Sequence, residues 1–167
     1  MDPTTLIIFY GTLALGASFL CSILEAVLLS TTHGHIVALK DTHPKISATW
    51  SDFKDDPEGP LTAILTLNTI AHTVGALGVG HQVEKAWPEV SYIVPVSAAV
   101  LTVAILLLSE ILPKTIGALY WRKLTVSSAR VLGLLMFILL PIVYPIEKIR
   151  SLFPAIHNEA VTRDELS

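Results

Sequence analysis

The sequence predicts an all-α membrane protein with three transmembrane helices, additional juxtamembrane or belt helices and an external N-terminus. Hydrophobic residues make up 52% of the 167 residues and charged residues only 15%, and the mean hydropathy is +0.64. This composition lies outside the usual range of soluble domains. We therefore expect a multi-pass protein of the cell (plasma) membrane, surrounded by the lipid bilayer.

Three apolar stretches define the predicted spans, at residues 4–31, 61–81 and 90–119. Each is long enough to cross ~30 Å of hydrocarbon, which takes about 20 helical residues. The second span follows Pro57-Glu58-Gly59-Pro60, a sequence typical of a helix start. A fourth apolar run, at 126–145, is compatible either with a span or with a helix lying at the membrane surface.

The distribution of positive charge favours three spans over four, because lysine and arginine concentrate in cytoplasmic segments. With three spans and the N-terminus outside, ten of the eleven cations lie on the cytoplasmic side and only Lys85 lies outside. A fourth span would place Lys148, Arg150 and Arg163 outside. We therefore predict that 126–145 is a juxtamembrane helix.

The remaining segments narrow the range of functions. The polar segment 32–60 is predicted to lie on the cytoplasmic surface with a short amphipathic helix around 36–53. Its three histidines match no ordinary metal-site spacing and are interpreted as solvated residues.

The net charge is −3 and no basic stripe is present, so a nucleic-acid partner is not expected. The single cysteine, Cys21, excludes an intrachain disulfide and leaves the redox compartment open.

Polar and ionisable side chains inside the predicted spans are candidates for a functional site, because a charge at a helix centre costs roughly 2.5–3.5 kcal/mol. In the first span Ser18, Ser22 and Glu25 are spaced to lie on one stripe. Each serine has an alternative role, since serine in a membrane helix often bonds to a carbonyl one turn earlier. That alternative does not explain why a carboxylate, Glu25, lies on the same stripe as the two serines.

In the second span Asn68, His72 and Gly75 repeat the spacing seen in the first. Asn68 is either an ion ligand or a hydrogen-bonding contact between helices. Imidazole is a poor ligand for a hard cation, so His72 is predicted to support the site or to pack rather than to bind the ion. Gly75 provides a small surface for helix packing or dimerisation.

The third span contains a proline, Pro113, within the sequence Ser109-Glu110-Ile111-Leu112-Pro113-Lys114. Proline has no N–H and its ring clashes with the carbonyl four residues earlier, so the carbonyl of Ser109 is predicted to be free beside Glu110. Broken backbone at membrane depth is tolerated where it lines a cavity or binds an ion. The alternative is a simple kink with a Glu110–Lys114 ion pair. The two interpretations are compatible if the Lys114 ammonium neutralises the Glu110 carboxylate when the site holds no ion.

These polar groups are predicted to meet in the cytoplasmic half of the bilayer and to form a cation site. Oxygen donors without thiolate suit hard cations, although the spacing does not separate Mg²⁺, Ca²⁺, Mn²⁺ and Na⁺. The predicted metal ligands are Ser18, Ser22, Asn68, Ser109 and Glu110. The predicted supporting or gating residues are Glu25, His72, Pro113 and Lys114.

Four motifs together resemble a known family. They are Ser18-x-x-x-Ser22-x-x-Glu25-Ala-x-x-x-Ser30, Asp56-Pro57-Glu58, Leu67-Asn68-Thr69 and the Ser109–Lys114 sequence given above. In this order they resemble the transmembrane domain of the CorC/CNNM magnesium transporters, from about residue 4 to 167. The resemblance implies a homodimer with three membrane helices and a belt-like juxtamembrane region, and Mg²⁺ export driven by Na⁺ influx.

Carried over by position, the resemblance gives ion-binding roles to Ser18, Ser22, Asn68 and Glu110, and makes Pro113 the residue that shapes the third helix. This chain departs from the pattern at one place, because many relatives carry a second asparagine where His72 stands here. Family members continue into a CBS-pair nucleotide-binding module. We expect a transmembrane domain at 1–153 and a linker at 154–167, with the CBS-pair module and its ATP site absent from this chain.

Two other functions are considered beside transport. A hydrolase using Ser109 or Ser22 with His72 is disfavoured, because the chain has neither a GxSxG turn nor an HExxH helix, and we expect no enzyme. A non-transporting Mg²⁺ sensor or scaffold, signalling through the missing module, is the stronger alternative. The dimer contact is predicted to use small or apolar positions of the second and third helices, such as Gly75, Ala76, Val79 and Ala98, with one ion site in each protomer.

Overall fold

The computed structural model describes residues 2–150, and all the regular elements in that range are helical. The helices are α1 (Pro3–Ser30), α2 (His33–Leu39), α3 (Pro44–Asp55), α4 (Glu58–Ala86), α5 (Ile93–Ala104), a π-helical segment (Ile105–Ile111) and α6 (Leu112–Arg150). The predicted linker at 154–167 lies outside the described residues.

Three helical runs in the described part of the chain are long and apolar enough to cross a membrane: Pro3–Ser30, Glu58–Ala86 and Ile93–Pro145. The all-α fold class and the three predicted spans are therefore confirmed. The third run is continuous, because α5, the π-helical segment and α6 follow one another without a loop. It bends at Tyr120, whose φ of −108° and ψ of 16° are not helical. This bend lies where the predicted third span ends.

Helix α1 lies at the centre and packs closely against both of the other long helices. A Cβ placed on Gly75 of α4 would overlap Ala14, so the two helices approach each other through small residues. A Cβ on Gly117 of α6 would lie 2.7 Å from Ala26. Gly75 and Val79 are buried within the chain, so their predicted role in the dimer contact is wrong. Their surfaces are already used by α1.

The two short helices form a layer against one end of the bundle. Pro44 is the first residue of α3, a position where its missing N–H costs no hydrogen bond, and the helical structure is interrupted before it. The predicted single helix at 36–53 is therefore wrong, since two helices separated at residues 40–43 take its place. The buried Ser47 hydroxyl donates to the Ile36 carbonyl over 2.8 Å and holds α3 against α2.

Helix α6 continues beyond the bend and packs one face against this layer and α1. The buried residues of that face recur every three or four positions, as expected for an amphipathic contact. They are Ala129, Leu132, Leu135, Leu139 and Val143. The fully buried Trp50 of α3 donates its indole N–H to the Thr125 carbonyl over 3.0 Å. The opposite face of α6 is apolar and exposed, with Phe137 76% exposed.

Candidate cation site

The register between α1 and α4 places the polar residues of the two helices opposite one another. His72 Nε2 lies 2.8 Å from Ser18 Oγ, and Gly75 lies against Ala14 one turn further along. The helices run antiparallel, so one turn in the other direction brings Asn68 to the level of Ser22. The serine stripe of α1 and the polar stripe of α4 therefore face each other inside the protein.

Both serines of α1 are inside the protein, with Ser18 0% and Ser22 1% exposed. The His72 ring contacts the Ser18 hydroxyl and occupies one of its hydrogen-bonding positions. The supporting role of His72 at an ion site remains a prediction. An ion at this level would share Ser18 with the imidazole.

Asn68 Oδ1 is a buried oxygen with no hydrogen-bond partner among the described residues. A buried amide oxygen without a partner costs on the order of 1–3 kcal/mol, so native structures rarely leave one unused. Asn68 lines a cavity of about 180 Å³ together with Glu25 of α1 and three apolar residues of α4. The three are Leu61, Ile64 and Leu65. This cavity has an amide, a carboxylate and otherwise apolar walls.

Ser109 is the corresponding residue of the third helix, 1% exposed, with an Oγ that also has no partner in the described part of the chain. It lies in the π-helical segment, together with Glu110. Ser109 and α1 residues around Gly16 and Phe19 line a second, more open cavity of about 370 Å³. Unpartnered buried oxygens thus occur on both α4 and the third helix, each in a residue that lines a cavity shared with α1, and the two cavities have no lining residue in common.

The backbone around Ser109 offers further oxygen donors. The N–H of Leu112 donates to the Leu107 carbonyl, five residues earlier, and α6 begins at Leu112. Pro113 has no N–H. In this described turn, the N–H of Lys114 is therefore the one main-chain donor left for three carbonyls, those of residues 108 to 110. Pro113 therefore follows a widened π turn rather than a simple kink. Such turns inside helices are frequent at functional sites.

The ion pair between Glu110 and Lys114, considered from the sequence as part of the alternative interpretation, is not found, because Lys114 pairs with another carboxylate. Lys114 Nζ lies 3.1 Å from Glu25 Oε2, so the lysine connects the third helix to α1. Sequence spacing within one helix indicated Glu110 as the partner, but the close packing of Gly117 against Ala26 brings Glu25 nearer. Glu25 is thereby placed at the cavity wall and in an ion pair at once.

Glu110 is partly buried and has no hydrogen bond or ion pair among the described residues. It does not line the cavity shared by Glu25 and Asn68. The structure therefore places Ser18 in contact with His72 and Asn68 at the level of Ser22, whereas Glu110 lies on the π-helical segment. Its predicted ligand role remains a prediction.

Histidine, cysteine, aspartate and glutamate form no group of three in the described part of the chain that could hold a metal ion. The candidate site is built instead from hydroxyl, amide and carbonyl oxygens with few formal charges. Two features were missed from the sequence: the π-helical segment and the apolar cavity wall of α4. Pro113 signals the first, and the spacing of Leu61, Ile64 and Asn68 along α4 signals the second.

These features define an α-helical membrane protein with an oxygen-lined polar region buried among three long helices. The family described as "Cyclin M transmembrane N-terminal domain" (CNNM) matches residues 9–167. The chain belongs to this family. It is also 27% identical, over 148 residues, to the UPF0053 protein sll1254 of Synechocystis sp.. That match covers 86% of this chain and 40% of the relative, so the chain spans less than half of the relative's length.

Proposed function

We propose that this chain forms the ion pathway of a magnesium exporter in the plasma membrane, coupled to sodium influx. The buried oxygens without partners, Asn68 Oδ1 and Ser109 Oγ, carry the proposal. They lie on α4 and on the third helix, which both pack against α1 with its buried serines, in a protein of the CNNM family. An intramembrane site without bound cations would leave these oxygens unsatisfied, and a cation with oxygen ligands satisfies them.

The donor set suits Mg²⁺ that must bind and leave again. Mg²⁺ takes six oxygens at about 2.0–2.1 Å and releases its water reluctantly. Ser18, Ser22, Asn68 and Ser109 supply neutral oxygens, the widened turn before Pro113 adds carbonyls, and Glu110 supplies the charge. A site dominated by neutral donors holds a divalent ion loosely enough for transport. Direction and sodium coupling follow from the resemblance to the CorC/CNNM transporters.

Flux in liposomes tests transport directly. The purified chain, reconstituted with a Mg²⁺-sensitive dye, is expected to move Mg²⁺ when an opposing Na⁺ gradient is applied. Glu110→Ala should abolish this flux, whereas Glu84→Ala, which removes an equal charge from an exposed position of α4, should leave it intact. Binding without any flux in the wild-type protein would instead support the sensor function.

Thermal melting tests the site independently of flux. A ligand that binds only the folded state stabilises it by mass action, about 2.7 kcal/mol at a concentration one hundred times its Kd. We expect Mg²⁺ to raise the melting temperature and Glu110→Ala to remove most of that rise. Ser22→Ala and Asn68→Ala should reduce it less, since water can replace a neutral ligand. Unchanged Mg²⁺-dependent melting in Glu110→Ala would refute the assignment of Glu110.

A further inference from the structure

The ion pair between Glu25 and Lys114 involves a carboxylate that lines the cavity containing Asn68. Lys114 Nζ lies 3.1 Å from Glu25 Oε2, and Glu25 is itself a cavity wall. The Lys114 side chain is 45% exposed and the Glu25 side chain is 34% exposed, so the pair is not sealed inside the protein. A cation that binds the Glu25 carboxylate must displace the lysine from it.

Lys114 is fixed to the part of the third helix that carries the candidate ligands. It directly follows the buried Pro113, and the π-helical segment with Ser109 and Glu110 ends just before these two residues. A displacement of the Lys114 ammonium therefore acts on the same turn that presents the carbonyls of residues 108 to 110. Glu25, in contrast, belongs to the central helix α1.

We propose that Lys114 is a tethered competitor of the transported cation. Its ammonium group pairs with the Glu25 carboxylate when the cavity is empty, and a hard divalent cation displaces it on binding. This inference rests on the proposed function and assigns its regulation to one residue. A carboxylate at membrane depth without a positive partner is unfavourable. The lysine supplies that partner in the empty state, so the cavity never has to hold an uncompensated charge.

The exchange has a consequence for release as well as for binding. When Mg²⁺ leaves, the ammonium returns to Glu25 and prevents the ion from binding again. Lys114 thus weakens Mg²⁺ affinity and speeds its departure, and Glu25 is the first carboxylate that the ion meets. A purely structural ion pair would hold α1 and α6 together without affecting Mg²⁺ affinity.

The test is a Mg²⁺ titration of thermal stability on the whole chain with Lys114→Met. Partly exposed ion pairs contribute about 0.2–1 kcal/mol, so loss of the competitor should raise Mg²⁺ affinity about 1.4- to fivefold. In liposomes the same variant should show a lower maximal flux, because release is slower. Lys123→Met, which removes an exposed lysine further along α6, is the matched control and should leave affinity unchanged.

Two further variants separate competition from simple stabilisation. Glu25→Gln should weaken Mg²⁺ binding, and in that background Lys114→Met should have no further effect on affinity. Lys114→Arg retains the charge and should keep affinity close to wild type. An unchanged or weaker Mg²⁺ affinity in Lys114→Met, with a lower melting temperature in the absence of Mg²⁺, overturns the competitor role and leaves the proposed function standing. Absence of Mg²⁺ stabilisation in the wild type overturns both.

Discussion

At the scale of single residues, the packing around α1 depends on glycines that face it. A Cβ on Gly75 would overlap Ala14, and one on Gly78 would overlap the Tyr10 ring. Without these glycines, α4 would have to move away from α1 and would carry Asn68 with it. Because the hydrophobic effect does not drive helices together within lipid, such close van der Waals packing is a main source of their association.

Gly75→Ala is therefore expected to destabilise the protein by roughly 1–3 kcal/mol, the usual cost of overpacking a tight contact. Gly80→Ala is the matched control, since a Cβ there meets nothing within 4 Å. It should be neutral or slightly stabilising, because alanine favours helix by up to about 1 kcal/mol over glycine. Thermal melting of both variants in detergent checks this, and equal melting temperatures would contradict the assigned contact.

The residues of the candidate site could be named from the sequence, but their partners could not. The stripes of α1 and α4 follow from helical spacing alone, and the structure places His72 beside Ser18 as that spacing allows. Lys114 pairs with Glu25 rather than Glu110 because that contact depends on how two distant helices pack. Spacing within one helix contains no information on such contacts.

At the scale of elements, hydropathy located the three long helices, while their ends and internal register required the structure. Predicted span 61–81 corresponds to Glu58–Ala86, since a helix continues past the bilayer where no residue stops it. Pro113 indicated disturbed hydrogen bonding, but a missing N–H does not decide between a kink and a widened turn. The break before Pro44 was readable from the sequence as a proline at a helix start, and it was missed.

The contact between α3 and α6 gives a prediction at this scale. Trp50 is 0% exposed and its indole N–H donates to the Thr125 carbonyl. Trp50→Phe removes this hydrogen bond, while the Thr125 carbonyl keeps its bond within the helix, so the loss should cost about 0.5–1.5 kcal/mol. Trp87→Phe, at a position 46% exposed, should cost less than 0.5 kcal/mol, roughly the usual limit for surface substitutions.

Thermal unfolding of the two variants, monitored by tryptophan fluorescence, measures the difference between their losses of stability. Mg²⁺-dependent stabilisation should be unchanged in Trp50→Phe, because α3 contributes no candidate ligand. An equal loss of stability in both variants would show that the layer of short helices is not held to α6 through this bond. The comparison thus separates the anchoring of the layer from the ion site.

At the scale of the whole molecule, the distribution of charge predicts the orientation in the membrane, and this prediction is open to direct test. A cysteine introduced at Glu89 should react with an impermeant reagent only from outside, and one at Asp52 or Glu159 only from the cytoplasm. The reason is the concentration of lysine and arginine in the segments predicted to be cytoplasmic. Labelling is read on intact and on permeabilised cells, with Cys21→Ala as the background. Reaction of the Glu159 position from outside would show that 126–145 crosses the membrane.

The third helix has an apolar surface that no other part of the described chain covers. None of the residues of α5 is buried within the chain, although α5 begins a membrane-spanning run. Three long helices do not easily surround a dehydrated cation, seal it from lipid and still change access. We propose that a second copy related by a two-fold axis supplies the missing wall, since such dimers are the commonest closed oligomers.

We therefore expect a homodimer whose contact uses Ala98 of α5 and Ala76 of α4, both exposed in the single chain. Ala98→Cys in a Cys21→Ala background should form a cross-linked dimer under mild oxidation in membranes. Phe137→Cys, exposed on the outer face of α6, should not. Mg²⁺ binding should reach one ion per protomer, because the polar stripes of α1 and α4 face each other within one chain. A monomer with full Mg²⁺ affinity would exclude a necessary role for the dimer, and one ion per dimer would exclude two separate sites.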